Sequence, residues 1–182
     1  EIIKCVVECI KKYDFGYFVL DPVMISKGGV ALLEDSAINA LKNELIALCD
    51  VITPNLPEAK ALTNIDITDK QSAKQAAEKL QEMGAKVVII KGGHTNNSTS
   101  KICEDWVFTQ NEEFTLSFPR FDTIQTHGTG CTFSACITAQ LAKGNSIKES
   151  IILAKDFISA AISNPLNIGS GHGPTNHWAY GK

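Results

Sequence analysis

The chain has 182 residues, of which 44% are hydrophobic and 20% charged, and its formal net charge is −3. This length is enough for one domain with a sizeable core, and the composition excludes disordered and collagen-like chains. No apolar run approaches the roughly 18 residues of a membrane span, so we expect no membrane partner. A weakly acidic chain lacks the basic surface of a nucleic-acid-binding protein, so we expect no nucleic-acid partner either.

The basic residues and the cysteines limit the kinds of phosphate and metal site that the chain can form. Arg120 is the only arginine among 17 basic residues, so phosphate binding would have to use backbone N–H groups, lysine and metal instead of arginine forks. The six cysteines form no CxxC motif and do not pair with histidines at zinc spacing. This usage favours reduced thiols and a cytoplasmic location.

The hydrophobic pattern predicts alternating helices and strands. In chain order we predict a helix over 1–12, a strand over 17–20, a helix over 36–48, a strand over 50–53, helices over 57–63 and 69–83, a strand over 86–90, an antiparallel pair over 102–109 and 113–118, a helix from the turn 127–130 to about 142, and a helix over 147–163. Capping boxes are predicted at Thr68–Gln71 and Ser146–Glu149.

This alternation predicts an α/β fold, with a mostly parallel central sheet between two helix layers and one domain over residues 1–182. In such sheets ligands bind at the carboxyl ends of the strands. Asp21, Asn55, Lys91 and the turn 127–130 each follow a predicted strand directly. We therefore expect these residues at one edge of the sheet.

The strongest motif is Thr126-His127-Gly128-Thr129-Gly130-Cys131-Thr132, between an extended segment and a helix. Two glycines at a helix start leave N–H groups that can bind an anion, with help from the helix dipole. A tight turn that needs glycine for a positive φ explains the same pattern. Cys131 lies in the first helical turn, where the helix field lowers a thiol pKa and makes a candidate base or nucleophile. Its alternative is a buried small hydrophobe.

Three weaker signals accompany this motif. Asn55 and Glu58 lie three residues apart at a helix start, which suits a hard cation and its waters but also ordinary capping. Lys91, followed by two glycines, is placed either to contact phosphate or simply to be solvated. Asp21 before Pro22 is either a second carboxylate near a metal or a turn-initiating aspartate. Together they indicate metal-assisted phosphoryl transfer.

The motifs also carry a family resemblance. They are LDPVM (20–24), TPNLPEA (53–59), KGGH (91–94), THGTGCTFSA (126–135) and GHGP (171–174). In this order and spacing the chain resembles the hydroxymethylpyrimidine/phosphomethylpyrimidine kinases of the ribokinase-like superfamily. The resemblance implies a kinase that uses ATP and Mg²⁺ to phosphorylate a small pyrimidine in thiamine biosynthesis. It also implies a homodimer.

The resemblance also implies roles for individual residues. Cys131 matches the catalytic base, and it faces the substrate. The backbone amides of Gly128, Thr129, Gly130 and Cys131 match the anion hole.

On the nucleotide side, the resemblance assigns Lys91 to neutralising phosphate charge. Asp21 and Glu58 match metal-side carboxylates. Asn55 and Thr126, together with Glu58, Lys91, Gly128 and Gly130, match nucleotide-binding positions. Val23 matches a residue that lines the pyrimidine pocket.

The family pattern begins with a glycine-rich segment that has no counterpart here, so we expect the chain to hold the nucleotide and catalytic half and to lack the first third. That segment supplies pocket residues, which leaves a pyridoxal-type kinase of the same fold as an alternative. A non-catalytic nucleotide-binding or regulatory module is a second alternative.

Overall fold

The computed structural model describes residues 1–25, 30–94 and 101–181. The chain divides into two compact units. The first comprises residues 1–98 and 104–115, and the second comprises residues 99–103 and 116–182. The expected single domain over 1–182 stays a prediction.

The helices and strands follow the predicted order closely. They are α1 (Ile2–Lys12), β1 (Val19–Leu20), α2 (Asp35–Ala40), β2 (Val51–Ile52), α3 (Leu56–Thr63), α4 (Lys70–Glu82), β3 (Val87–Lys91), β4 (Ile102–Phe108), β5 (Glu113–Pro119), α5 (Thr129–Ala142) and α6 (Ile147–Ser163). Short 3₁₀ turns lie at Ile46–Leu48, Gly92–His94 and His177–Ala179.

The five strands form one mixed sheet in the order β1-β2-β3-β4-β5. β1 pairs with β2 and β2 with β3 in parallel, so the carboxyl ends of these three strands lie at one edge of the sheet. β4 runs antiparallel to β3, with Lys91 opposite Asp105. The predicted α/β class is confirmed. β4 and β5 are neighbours in the sheet, and the antiparallel direction predicted for that pair stays a prediction.

Two local predictions were wrong in detail. The predicted helix over 36–48 is α-helical only over Asp35–Ala40, and it continues as a π-helical turn over Leu41–Leu45 and then as a 3₁₀ turn. The predicted cap of α4 at Thr68 lies one residue later, because the Asp69 carboxylate accepts the Ser72 N–H at 2.8 Å while the Ser72 side chain bonds back to the Asp69 N–H. Aspartate is the better N-cap at this position because its carboxylate reaches the orphan amide directly.

The core of the first unit lies between the sheet and helices α1 and α4. Val88 and Ile90 of β3 pack into one cluster with Leu80 of α4 and Val7 of α1. Val87–Ile90 are all buried, as the continuous apolar run of this strand predicts. A strand shielded on both faces cannot slip in register without exposing apolar side chains. The position of Lys91 at the carboxyl end of β3 is therefore fixed.

The second unit is built on α5 and α6, which pack against each other. Their buried side chains recur at helical spacing and include Phe133, Ile137, Leu141, Ile151, Ala154, Ile158 and Ala161. The predicted capping box at the start of α6 is confirmed, because Ser146 and Glu149 exchange side-chain and backbone hydrogen bonds. In the described parts of the chain, every helix is too short or too polar to cross a membrane.

Candidate active site

A charged pair lies at the carboxyl ends of the parallel strands. The Lys91 Nζ atom contacts Asp21 Oδ1 at 2.9 Å, and the Thr53 hydroxyl donates to the same oxygen at 3.1 Å. The Lys91 and Asp21 side chains are only 16% and 14% exposed, so solvent screens their attraction weakly. Within the described residues, the other carboxylate oxygen, Asp21 Oδ2, is buried and has no hydrogen-bond partner.

Asn55 and Glu58 close the start of α3. The Asn55 side chain accepts the Glu58 N–H at 2.8 Å, and the Glu58 carboxylate accepts the Asn55 N–H at 2.8 Å. The capping interpretation of this pair is therefore confirmed. Glu58 is 4% exposed, and its burial raises the pKa of its carboxyl, which the bond from Asn55 and the charge of Lys91 partly oppose.

Backbone contacts hold the α3 start beside Lys91. The Lys91 N–H donates to Pro54 O at 2.9 Å, and Asn55 forms a parallel bridge with Lys91. The Asp21 charge also acts on Glu58, raising its pKa slightly, while the Lys91 charge lowers it. The structure therefore brings together four of the predicted residues, namely Asp21, Asn55, Glu58 and Lys91.

This cluster fits a magnesium ion that arrives with a nucleotide. The unpartnered Asp21 Oδ2 is a hard oxygen donor, and Glu58 supplies a second carboxylate nearby. Among the described residues, no three His, Cys, Asp or Glu side chains are grouped so that they could hold a metal ion on their own. Mg²⁺ commonly takes only one or two carboxylates and fills its remaining positions with water and phosphate oxygens. The metal roles of Asp21 and Glu58 remain predictions.

Sequence reasoning missed one residue of this region, Asp105. Its carboxylate is buried and accepts the Gly92 N–H at 3.0 Å, directly after Lys91. A side chain at Gly92 would collide with the backbone oxygen of Glu104, so the turn needs glycine. The available signal was a pair of acidic residues, Glu104 and Asp105, within an apolar strand stretch. Neighbouring side chains on a strand face opposite sides, so one of the two carboxylates was expected to be buried and to need a partner.

The glycine-rich motif forms the start of α5, as predicted. Gly128 is the N-cap at φ 82°, a left-handed conformation that favours glycine, and no side chain caps the helix. The first helical hydrogen bond runs from the Thr132 N–H to Gly128 O at 2.8 Å. The Thr129 hydroxyl donates to Thr126 O at 2.8 Å and closes the turn. The first-turn amides, including that of Gly130, therefore have no acceptor within the helix.

The two cysteines of α5 differ in exposure. Cys131 lies in the first helical turn and is exposed, whereas Cys136 is partly buried and its burial raises the pKa of its thiol. An accessible thiol beside the first-turn amides is the geometry that the base assignment requires. The predicted roles of Thr126, Gly128, Thr129, Gly130 and Cys131 are not tested by this geometry alone.

Val23, the predicted pocket residue, follows β1. Its N–H donates to Asp21 O at 2.9 Å, and its side chain is partly exposed. It thus lies two residues beyond the Asp21 carboxylate, on the same loop. Its substrate role stays a prediction.

Known proteins resemble the chain over most of its length. A family model described as phosphomethylpyrimidine kinase matches residues 1–176. A protein of Haemophilus influenzae, named hydroxymethylpyrimidine/phosphomethylpyrimidine kinase, is 60% identical over 183 residues, which cover 100% of this chain and 68% of that protein.

Solved structures agree with this fold. The pyridoxal kinase from Staphylococcus aureus in complex with AMP-PCP matches with a TM-score of 0.90 at 35% identity, covering 100% of this chain and 65% of that one. A phosphomethylpyrimidine kinase from Clostridium difficile matches with a TM-score of 0.74 at 38% identity, covering 88% of this chain and 64% of that one. The chain therefore spans about two thirds of the length of these relatives.

Proposed function

Because this chain belongs to the phosphomethylpyrimidine kinase family, we propose that it carries the nucleotide and catalytic part of an ATP-dependent kinase for 4-amino-5-hydroxymethyl-2-methylpyrimidine and its monophosphate. The observation that carries the proposal is the 60% identity to a kinase of that name across the whole chain. This reaction would place the protein in thiamine biosynthesis.

The proposed mechanism relies on positioning and charge more than on covalent chemistry. The amides of residues 128–131 stabilise negative charge that develops on the transferring phosphoryl group, at a helix start whose N-cap residue, Gly128, has no side chain. Cys131 accepts the proton of the substrate hydroxymethyl group as its oxygen attacks phosphorus. Thr126 supports the nucleotide from the turn before the helix.

In this proposal Lys91 supplies a positive charge that can contact either Asp21 or a phosphate oxygen. In the structure its ammonium contacts the Asp21 carboxylate, and no ordinary apolar environment would tolerate that carboxylate without a cation. Phosphate oxygens that approach this edge offer Lys91 a second anionic partner. The more negative transition state then attracts the ammonium more strongly than bound ATP does.

Magnesium, when bound, would neutralise phosphate charge and orient the nucleotide. Asp21 and Glu58 are the side chains that would hold it, directly or through water. Asn55 fixes the Glu58 carboxylate through their reciprocal hydrogen bonds, so its contribution to nucleotide binding is to orient that carboxylate.

A pyridoxal-type kinase is the second candidate function. The match to the Staphylococcus aureus pyridoxal kinase has a TM-score of 0.90, against 0.74 for the Clostridium difficile phosphomethylpyrimidine kinase. Pyridoxal also presents a hydroxymethyl group on a six-membered nitrogen ring. The pyrimidine is favoured because the identity to the pyrimidine kinase is 60%, compared with 35% to the pyridoxal kinase.

A coupled ADP-release assay separates the candidates. The protein, expressed as its gene encodes it, is offered the hydroxymethylpyrimidine, its monophosphate and pyridoxal in parallel, with and without Mg²⁺. We expect the highest kcat/KM with the two pyrimidines, and turnover only with the metal. Preferential turnover of pyridoxal would establish the second candidate, and nucleotide binding without turnover of any substrate would support a regulatory module.

The assembly is implied by the family resemblance, and the location by the cysteine usage. We propose a homodimer in the cytoplasm. Sedimentation equilibrium of the purified protein tests the dimer, and a monomer at micromolar concentration would contradict it. Fractionation of cells that express the tagged gene tests the location.

A further inference from the structure

One motif has no role in the proposed mechanism, namely the GHGP segment near residue 173. We propose that Gly173–His177, here called the strap, holds the glycine-rich loop 128–131 in place, and that Thr132 and His177 are positioning residues for the reaction. This inference rests on the proposed function for its kinetic consequence. Its structural part concerns only contacts within the second unit.

The strap fixes the residue that precedes the loop. The His127 N–H donates to Gly173 O at 3.0 Å, and the Thr175 N–H donates to His127 O at 3.2 Å. These two bonds form a parallel bridge between His127 and Pro174. Both backbone groups of His127 are therefore used by the strap, directly before Gly128.

The strap also reaches the residue that follows the loop. His177 Nε2 lies 3.0 Å from the Thr132 hydroxyl and 3.3 Å from the Thr175 hydroxyl. A threonine hydroxyl both donates and accepts, so these contacts suit either ring tautomer. Thr132 is also the residue whose N–H makes the first hydrogen bond of α5, to Gly128 O. The four loop residues thus lie between two points that the strap holds.

The strap is itself anchored to α6. The Asn176 N–H donates to Ala161 O at 3.1 Å, and the Asn176 side chain donates to Asn164 O at 2.9 Å. The His177 ring lies 5.9 Å from the ring of Phe157, which is also on α6. Because α6 packs against α5, the strap connects the loop to the rigid part of its unit.

The glycine of the strap has a steric reason. A side chain at Gly173 would collide with the side-chain amide of Gln125, which is 4% exposed. Gln125 lies two residues before His127, so its buried side chain would have to move if Gly173 carried a side chain. Glycine at this position therefore serves close packing and not a positive φ.

These contacts add to the turn that the Thr129 hydroxyl closes on Thr126 O. Gly128 has no side chain, and no side chain caps the start of α5. Donors that stabilise a transition state must keep their positions without reorganising. The strap supplies the rigidity that a side-chain cap gives to other helices.

The test compares Thr132→Val, which removes the hydroxyl but keeps the shape, with Thr132→Ser, which keeps the hydroxyl. The second variant pair is His177→Ala and the double variant Thr132→Val/His177→Ala. Thr138→Val is the matched control, because the hydroxyl that it removes lies on the same helix and donates to the helical carbonyl of Ser134. Trp178→Ala controls for the strap, since Trp178 is 71% exposed.

The first measurement is hydrogen–deuterium exchange of the peptide 126–133. We expect exchange to be about 2- to 10-fold faster in Thr132→Val and His177→Ala, the range that the loss of one hydrogen bond permits. Thr132→Ser, Thr138→Val and Trp178→Ala should exchange like the wild type. Unchanged exchange in both Thr132→Val and His177→Ala would overturn the proposal.

The second measurement is the split between kcat and the KM for ATP. We expect Thr132→Val to lower kcat about 2- to 10-fold with little change in KM, and to have no further effect in the His177→Ala background. An equal effect in both backgrounds would show that the two residues act independently and would overturn the positioning role. If the wild type phosphorylates none of the three substrates, the proposed function fails, and the exchange data still decide whether the strap holds the loop.

Discussion

The starts of α3 and α5 solve the same structural problem in opposite ways. At α3, Asn55 and Glu58 satisfy the first amides with their own side chains, and the strand end that carries Lys91 is bonded to the same turn. At α5, the N-cap Gly128 has no side chain, and the first-turn amides have no acceptor within the helix. We call a helix start closed when side chains cap its first amides, as at α3, and open when no side chain does so, as at α5. A closed start fixes the capping side chains in position for a ligand, whereas an open start can bind a ligand through its own backbone amides.

The difference predicts where single substitutions act. At the closed start, function depends on side chains, so removing one charge should have a large effect. At the open start, the amides survive most substitutions, and changes there should act through the base or through loop position.

The largest effect is expected for Lys91→Ala. The substitution removes the ammonium that meets the developing phosphoryl charge, so kcat should fall about 10²- to 10³-fold, more than the affinity for ATP changes. It also leaves the Asp21 carboxylate in a largely buried site with the Thr53 hydroxyl as donor, which should cost about 1–3 kcal/mol of unfolding free energy. Steady-state kinetics and urea unfolding measure the two effects.

Lys86→Ala is the matched control for this charge. Lys86 contacts Asp50 at 2.7 Å, but its side chain is 66% exposed and it precedes β3, at the opposite end of that strand from Lys91. We expect near-wild-type turnover. A kcat for Lys91→Ala within twofold of the wild type, with only KM for ATP raised, would reduce Lys91 to a binding contact.

Cys131→Ala should have the next largest effect. A general base typically raises the rate about 10²- to 10⁴-fold. In a loose phosphoryl-transfer transition state the proton leaves late and the base contributes less, so we expect kcat to fall about 10- to 100-fold. ATP binding and the fold should be retained, because the loop amides belong to the backbone. Cys131→Asp should keep part of the activity, since a carboxylate can accept the same proton.

Cys136 provides the control for Cys131, five residues further along the same helix. Cys136→Ala should leave kcat unchanged, and alkylation should modify the exposed Cys131 before the partly buried Cys136. Bound substrate should slow alkylation of Cys131. If Cys131→Ala turns over the pyrimidine at the wild-type rate, the base assignment is wrong and only the amides of the motif are functional.

A smaller effect is expected for Gly128→Ala. Gly128 has φ 82°, and Gly144, after α5, has φ 88° with no atom within 4 Å of an added Cβ. Alanine at either position should cost about 1–2 kcal/mol of unfolding free energy, the penalty of the left-handed conformation. Thermal unfolding should therefore show similar losses, whereas only Gly128→Ala should lower kcat, because it disturbs the loop. Equal kcat values for the two variants would mean that the Gly128 turn is purely structural.

The elements that sequence predicted best are those fixed by local chemistry. The apolar run of β3 and the Ser146–Glu149 cap depend on neighbouring residues, and both were correct. The buried hydrogen bond from Gly92 to Asp105 depends on strand pairing across the β3–β4 register, which local patterns do not encode. The same holds for the contact between Thr132 and His177, which are 45 residues apart.

In the candidate site, too, the sequence predicted which residues are involved but not which of them contact each other. Residues that follow strands could be named from the sequence, because parallel strands bring their carboxyl ends together. The sequence could not show that Asn55 and Glu58 bond to each other while Lys91 contacts Asp21, since side-chain partners depend on distances across the sheet edge. Capping and ligand binding were posed as alternatives for Glu58, yet a capping carboxylate can retain an oxygen for a ligand.

The smallest expected effect concerns the capping glutamates of α3 and α6. Burial raises the pKa of Glu58, whereas the hydrogen bond from the Ser146 hydroxyl lowers the pKa of Glu149. A folded-state pKa above the unfolded value means that the folded protein binds the proton more tightly, so the contribution of Glu58 to stability is lost as pH rises from the usual glutamate pKa to its folded value. The contribution of Glu149 to stability depends on pH in the opposite direction and is lost as pH falls through its lowered pKa.

Glu58→Gln and Glu149→Gln separate these two contributions. Glutamine can still accept the N-cap amide, so each box should persist and unfolding free energy at pH 7 should change by less than about 1 kcal/mol for Glu58→Gln. Urea unfolding between pH 3 and pH 7 should show that Glu58→Gln gains stability relative to the wild type as pH rises, because the buried charge is gone. Glu149→Gln should lose stability relative to the wild type over the same rise. If Glu58→Gln instead loses stability relative to the wild type over this rise, the pKa of Glu58 is not raised in the folded protein, and burial does not distinguish the start of α3 from the exposed cap of α6.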